Sequence, residues 1–351
     1  MELRYNPLLR DWVMVAANRQ ARPHLPEDHC PFCPGSGKVP PDYDVFIYDN
    51  DYPVLVPDPP EPDDVVTGLY RVAKSYGKCE VVLYTAEHEA RLYDLSDAHL
   101  ARLVALWTER FVALGADPKH RYVLIFENRG EEVGVTIHHP HGQIYAYPFI
   151  PLKIAREIES MHAHYTAHGE CLMCAINRAE SAFGRRIVAE NEHFLAYIPF
   201  FTDFPYGLFI VSKEHRPSLA EMTPAEHESL AKILRRSVGA MDRLFDRPFP
   251  YMMVLHQRPV DGGDYDAYVH FHIEFYPPLR ARDRLKFYAS SEMGAWAAAN
   301  PRAVEETAPE LRRAYARFVA WLGEGYGDAE GGDGQAEGCV CRSDGERGIS
   351  R

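Results

Sequence analysis

The sequence predicts an α+β fold in which one unit occurs twice: two tandem halves of mostly antiparallel sheet with helices packed on it. Three observations carry this. A Cys-x2-Cys pair opens each half, at Cys30/Cys33 and Cys171/Cys174. Histidines at alternate positions close each half, at His139/His141 and His270/His272. Between them each half passes through an apolar stretch, a helix-like stretch and a second apolar stretch, and an internal repeat of this kind fixes architecture before local propensity does. The halves are expected at residues 1–155 and 156–322, followed by a tail at 323–351.

Each element has a local reason. In the first half, 81–84 (Val-Val-Leu-Tyr) is a short apolar run that leads through Thr85 to His88. Ser96 then caps a helix whose Leu100, Leu103, Trp107 and Phe111 recur at helical spacing. A strand follows at 122–126, and then one carrying His139, His141 and Gln143, which alternation by two puts on a single face. The second half repeats the order: a strand at 208–211, a run from Ser212 to His215, and a helix whose Thr223-Pro224-Ala225-Glu226 start is a capping box with proline at the first helical position. Leu230, Ile233, Leu234 and Met241 form its apolar stripe; a strand at 251–255 and one carrying His270, His272 and Glu274 complete the unit. Leu311, Tyr315, Phe318 and Leu322 mark a last helix by packing alone. From Gly323 the chain is rich in Gly, Asp and Glu, too poor in apolar groups to offset its ordering entropy, and a disordered tail is expected.

The 351 residues suffice for two domains, and 46% hydrophobic with 25% charged residues is an ordinary globular composition. Thirty-eight Lys plus Arg against 51 Asp plus Glu leave a net charge of −13, which argues against a nucleic-acid partner. The start, Met1-Glu2-Leu3-Arg4-Tyr5, has no apolar signal core, and no apolar run approaches the length of a membrane span, so a cytoplasmic protein is expected. Six of the seven cysteines fall in close pairs, read as thiols or metal ligands; Cys339/Cys341 lacks the spacing and is read as incidental.

The strongest motif is Gly134-Val-Thr-Ile-His-His139-Pro140-His141-Gly142-Gln143. On its own, a His-x-His-x-Gln strand is compatible with a metal site. With its surroundings, Arg4-Tyr5-Asn6-Pro7-Leu8, Arg19-Gln-Ala-Arg22, Asn50-Asp51, Phe126-Glu-Asn128-Arg-Gly, Phe249-Pro-Tyr251 and Phe275-Tyr-Pro-Pro278, it resembles the galactose-1-phosphate uridylyltransferase family, a doubled branch of the histidine-triad superfamily. The resemblance spans roughly residues 3 to 293.

That resemblance implies two histidine-triad-like halves and ping-pong transfer of UMP between UDP-glucose and galactose 1-phosphate. His141 would be the nucleophile at the α-phosphorus, and Gln143 would hydrogen-bond the phosphoryl oxygens without acting as acid or base. It further implies base and ribose contacts from Asn50 and Asp51, and phosphate-side contacts from Asn128, Gly134 and Thr136. Lys286, Phe287 and Glu292 would lie near the hexose phosphate, although Ser291 replaces the family's tyrosine. Arg19 and Arg22 would act across a homodimer boundary. Cys30, Cys33, His88 and His139 match the family's structural zinc ligands, a set suited to a closed tetrahedral site. For a second metal the sequence leaves two alternatives. Glu157, His256 and His272 match three of four family ligands, with Glu274 where a fourth histidine is usual. Cys171, Cys174, His215 and His270 instead repeat the first zinc pattern, and this second set is the favoured one. Alternative activities are a nucleotide-sugar phosphorylase or adenylyltransferase of the same superfamily, or a zinc-stabilised nucleotide-binding protein without turnover.

Overall fold

A computed structural model describes residues 1–17, 30–64 and 68–326. The chain opens with β1 (Glu2–Asn6) and β2 (Asp11–Val15), then β3 (Phe46–Asp49), β4 (Val72–Lys74), β5 (Lys78–Leu83), α1 (Asp97–Gly115), β6 (Tyr122–Arg129) and β7 (His141–Tyr147). Two helices, α2 (Leu152–His168) and α3 (Leu172–Phe183), lead into β8 (Ile187–Glu190), β9 (Phe194–Tyr197) and β10 (Phe209–Ser212). After α4 (Pro224–Leu244) come β11 (Tyr251–His256), β12 (His272–Tyr276), the small hairpin β13 (Leu279–Ala281) and β14 (Arg284–Leu285), α5 (Ser290–Ala295) and α6 (Val304–Trp321).

The expected repeat is physical. Nine strands form one sheet in the order β3-β5-β7-β6-β11-β12-β10-β9-β8, every neighbouring pair antiparallel. The corresponding strands of the two halves, β6 and β11, pair with each other at its centre. The sheet is therefore continuous, and α2 runs across the boundary expected at residue 155. A second sheet, β2-β1-β4, carries none of the repeat.

Register decides what each face holds. Phe126 lies opposite both Gln143 and Val254, and Val254 opposite Glu274, so the His141–Gln143 and His272–Glu274 pairs share one face. The other face, with Val82, Ile125, Ile144, Leu255 and Ile273, packs under α1, α4 and α6 to form the main core. Helix starts follow their sequences: Ser96 accepts from the His99 N–H, and Thr223 and Glu226 form both bonds of the capping box. Gly239 lets α6 lie close on α4, since a Cβ there would stand 2.3 Å from Phe318 Cζ.

Three boundaries differ from expectation. His139 and His270 precede their strands, which begin at His141 and His272. Pro140 cannot donate to a ladder, and the two rings turn away to sulfur-lined clusters. At the C-terminal end a π turn carries helix geometry through Leu322–Tyr326, past the tail start expected at Gly323; Cys339 and Cys341 lie outside the described residues. Among the described residues no helix is long and apolar enough to cross a membrane.

Candidate active site

His141 opens β7 and is oriented by the backbone two residues back. Its Nδ1–H donates to the His139 carbonyl at 2.8 Å, which puts the lone pair of the neutral ring on Nε2. The Phe32 ring packs 5.4 Å from the imidazole. Gln143, next on the same face, accepts through Oε1 from the Tyr145 hydroxyl at 3.2 Å and the Asn50 amide at 3.5 Å, so its own amide N–H groups are the ones left to donate. A cavity of about 200 Å³ joins His141 and Gln143 to Phe126, Asn128, Gly134, Thr136 and Tyr145. Gly142 has a steric reason between them: a Cβ there would meet the Tyr84 hydroxyl at 2.3 Å and the Phe126 carbonyl at 3.0 Å.

The structure thus groups His141, Gln143, Asn128, Gly134 and Thr136, with Asn50 at the edge. Asp51 lines neither cavity that contains His141, and its carboxylate accepts from Lys38 at 2.7 Å and the Tyr48 hydroxyl at 2.7 Å. Lys286, Phe287 and Glu292 line neither cavity that contains His141. The Lys286 ammonium donates to the Asp203 carbonyl at 2.5 Å, Phe287 is exposed, and Glu292 accepts from the Ala289 N–H at the start of α5. Arg19 and Arg22 lie outside the described residues. Sequence reasoning missed Phe32, Tyr84 and Tyr145; only Tyr145 carried a signal, two residues past Gln143 and so on the same strand face.

A larger cavity, about 690 Å³, is also lined by His141 and includes Tyr84, Glu127, Asn128 and Phe249. Glu127 accepts from the Tyr251 hydroxyl at 2.8 Å, while its second oxygen is buried with no hydrogen-bond partner among the described residues. Burial pushes this carboxyl up to about 7. The folded chain therefore keeps the proton where the unfolded chain has lost it. The resulting stabilisation is complete below about pH 4.5 and lost as pH rises through about 7. Glu127→Gln, neutral throughout, should be more stable than the wild type at pH 8 by up to roughly 3 kcal/mol and little different at pH 5. Urea unfolding at the two pH values tests this, and an equal effect at both would contradict it.

Two sulfur-lined clusters repeat each other. Cys33 Sγ stands 3.3 Å from His88 Nδ1, and Cys30 and Cys33 each stand 3.8 Å from His139 Nδ1. Cys171 and Cys174 each stand 3.5 Å from His270 Nδ1, and Cys174 stands 3.8 Å from His215 Nδ1. Ligands of one tetrahedral zinc with ordinary bond lengths lie about 3.5 Å apart, so both sets fit the ion. The far nitrogens are fixed by carbonyls, His139 Nε2 on Thr85 at 2.8 Å, His270 Nε2 on Ser212 at 2.9 Å and His215 Nε2 on Asp266 at 2.7 Å, which commits Nδ1 to the metal side.

Both sets considered for a second metal are brought together by the fold. Glu157, His256, His272 and Glu274 also converge, their candidate ligand atoms within 4.8 Å of one another, alongside the Cys171 set.

The chain is similar to known proteins over most of its length. Residues 1–151 match the family described as galactose-1-phosphate uridyl transferase, N-terminal domain, and residues 157–308 its C-terminal domain. The galactose-1-phosphate uridylyltransferase of Thermotoga maritima is 43% identical over 313 residues, covering 89% of this chain and 98% of that protein. The Haemophilus influenzae enzyme of the same name is 32% identical, covering 83% and 88%. A solved uridylyltransferase structure superposes with a TM-score of 0.83 at 34% identity, covering 90% of this chain and 99% of that one. With both halves of the family matched in order and most of the chain covered, this chain belongs to the galactose-1-phosphate uridylyltransferase family.

Proposed function

We propose that the chain exchanges UMP between UDP-glucose and galactose 1-phosphate through a uridylyl-His141 intermediate. The observation that carries this is the His141 ring, held through Nδ1 by the His139 carbonyl and lining one cavity with Asn128, Thr136 and Gln143. Nε2 bonds to the α-phosphorus as the bond to the bridging oxygen breaks, and glucose 1-phosphate departs with that electron pair. A sugar phosphate is a good leaving group near neutral pH, so no general acid is required, and an amide at Gln143 suffices to hydrogen-bond the phosphoryl oxygens. Galactose 1-phosphate then attacks the same phosphorus and frees His141.

The names of the relatives support the substrate pair. The first half, 1–155, carries the chemistry, and the second, 156–322, completes the sheet. Zinc in the Cys30 and Cys171 clusters fixes the turns that precede His141 and His272, and takes no part in the transfer. The enzyme acts in the cytoplasm as a homodimer, with Arg19 and Arg22 serving the neighbouring subunit's site, and with Lys286, Phe287 and Glu292 near the hexose phosphate.

The test is an exchange assay over UDP-glucose, UDP-galactose and ADP-glucose with galactose 1-phosphate or inorganic phosphate as acceptor. UDP-galactose formed from UDP-glucose and galactose 1-phosphate is the expected result. Turnover confined to ADP-glucose with phosphate would assign a phosphorylase instead.

A further inference from the structure

The cluster of Glu157, His256, His272 and Glu274 occupies in the second half the place that His141 and Gln143 occupy in the first. His272 Nδ1 meets the His270 carbonyl at 3.0 Å, as His141 meets that of His139, and Glu274 and Tyr276 stand where Gln143 and Tyr145 stand. Two carboxylates and two imidazoles are donors that a divalent ion accepts, and the family resemblance implies a metal here.

What surrounds those donors does not fit one. The Lys153 ammonium, from the first turn of α2, lies 2.6 Å from Glu274 Oε2, 2.5 Å from the Tyr276 hydroxyl and 3.6 Å from Glu157 Oε1, so it touches both carboxylates of the set. Tyr276 also donates to Glu274. His256 Nδ1 is hydrogen-bonded directly to Glu157 Oε2 at 2.7 Å, whereas the donors of the two thiolate clusters stand 3.3 to 3.8 Å apart. Lys153 and the Tyr276 hydroxyl thus already engage Glu274 Oε2 and the His256 Nδ1–H engages Glu157 Oε2, and a dication beside Lys153 would face a like charge. The acid at 274, where the family has a histidine, and the base at 153 compensate each other: Glu274 is 4% exposed and needs a cation.

We propose that Lys153 is the resident cation of this cluster and stands in a metal's place, so that each chain carries metal only in its two thiolate sites. This rests on the reading that both Cys2His2 clusters hold zinc. Lys153 is 57% exposed along its side chain, so Lys153→Met keeps the stem and removes the charge with little disturbance of the core. Full-length protein is dialysed against zinc and then against metal-free buffer, and metal per chain is measured by elemental analysis.

The wild type should hold two ions and Lys153→Met a third, which is lost again when Glu157→Gln is added. Lys153→Gln is the second variant if the methionine form does not fold. A third ion in the wild type that disappears with Glu157→Gln overturns the proposal, as does a Lys153 variant that stays at two. Failure of the thiolate reading shows separately, as a count that Cys171→Ser does not lower.

Discussion

His141→Gly is expected to lower the rate of UMP transfer by at least about 10⁴-fold while leaving the unfolding transition and metal content unchanged, because it removes the nucleophile and no metal ligand. The ring is half-buried at the start of β7, outside the main core under α1, α4 and α6, so little of that core depends on it. Steady-state rates with UDP-glucose and galactose 1-phosphate, beside thermal unfolding and elemental analysis of the same preparation, check this. A variant that retained more than a few per cent of activity would require another nucleophile.

The second large effect concerns the thiolate sites, and the two are expected to differ. Cys30→Ser should lose one zinc, destabilise the chain by a few kcal/mol and reduce transfer, because His139, whose ring would share that zinc with Cys30, is separated from His141 only by Pro140. Cys171→Ser should also lose one zinc and a comparable amount of stability, yet leave His141 reactive, because its partner His270 precedes the second-half strand. Metal content, urea unfolding and rate measured on both variants separate these outcomes. Equal loss of activity in the two would mean that the halves are coupled more tightly than the shared sheet suggests.

Much of this was legible in the sequence because the repeat carries its own punctuation. The caps at Ser96 and Thr223, the apolar stripes behind them and the paired cysteines each act locally, and local signals survive without tertiary context. The alternate histidines were half legible. Alternation predicts a common face for His139, His141 and Gln143, but proline at 140 starts the ladder one residue later and releases His139 to the cysteines. The Lys153 contact had no signal at all, since nothing in a helix start announces that its ammonium will reach a carboxylate 121 residues on. The same is true of the β2-β1-β4 sheet, which pairs segments from residue 2 to residue 74. Nor does the sequence announce that the Asp51 carboxylate accepts from Lys38 and Tyr48.

The central claim is that His141 Nε2 carries the UMP group between two half-reactions, and the most direct measurement is to trap that state. Full-length protein is mixed with UDP-glucose labelled in its α-phosphate, without acceptor, quenched in base, digested and mapped. One acid-labile label per chain, on the peptide containing His141, released as UDP-galactose when galactose 1-phosphate is added before the quench, is the predicted result. Turnover at a normal rate with no base-stable, acid-labile label on that peptide would contradict it and point to direct transfer between the two sugar phosphates.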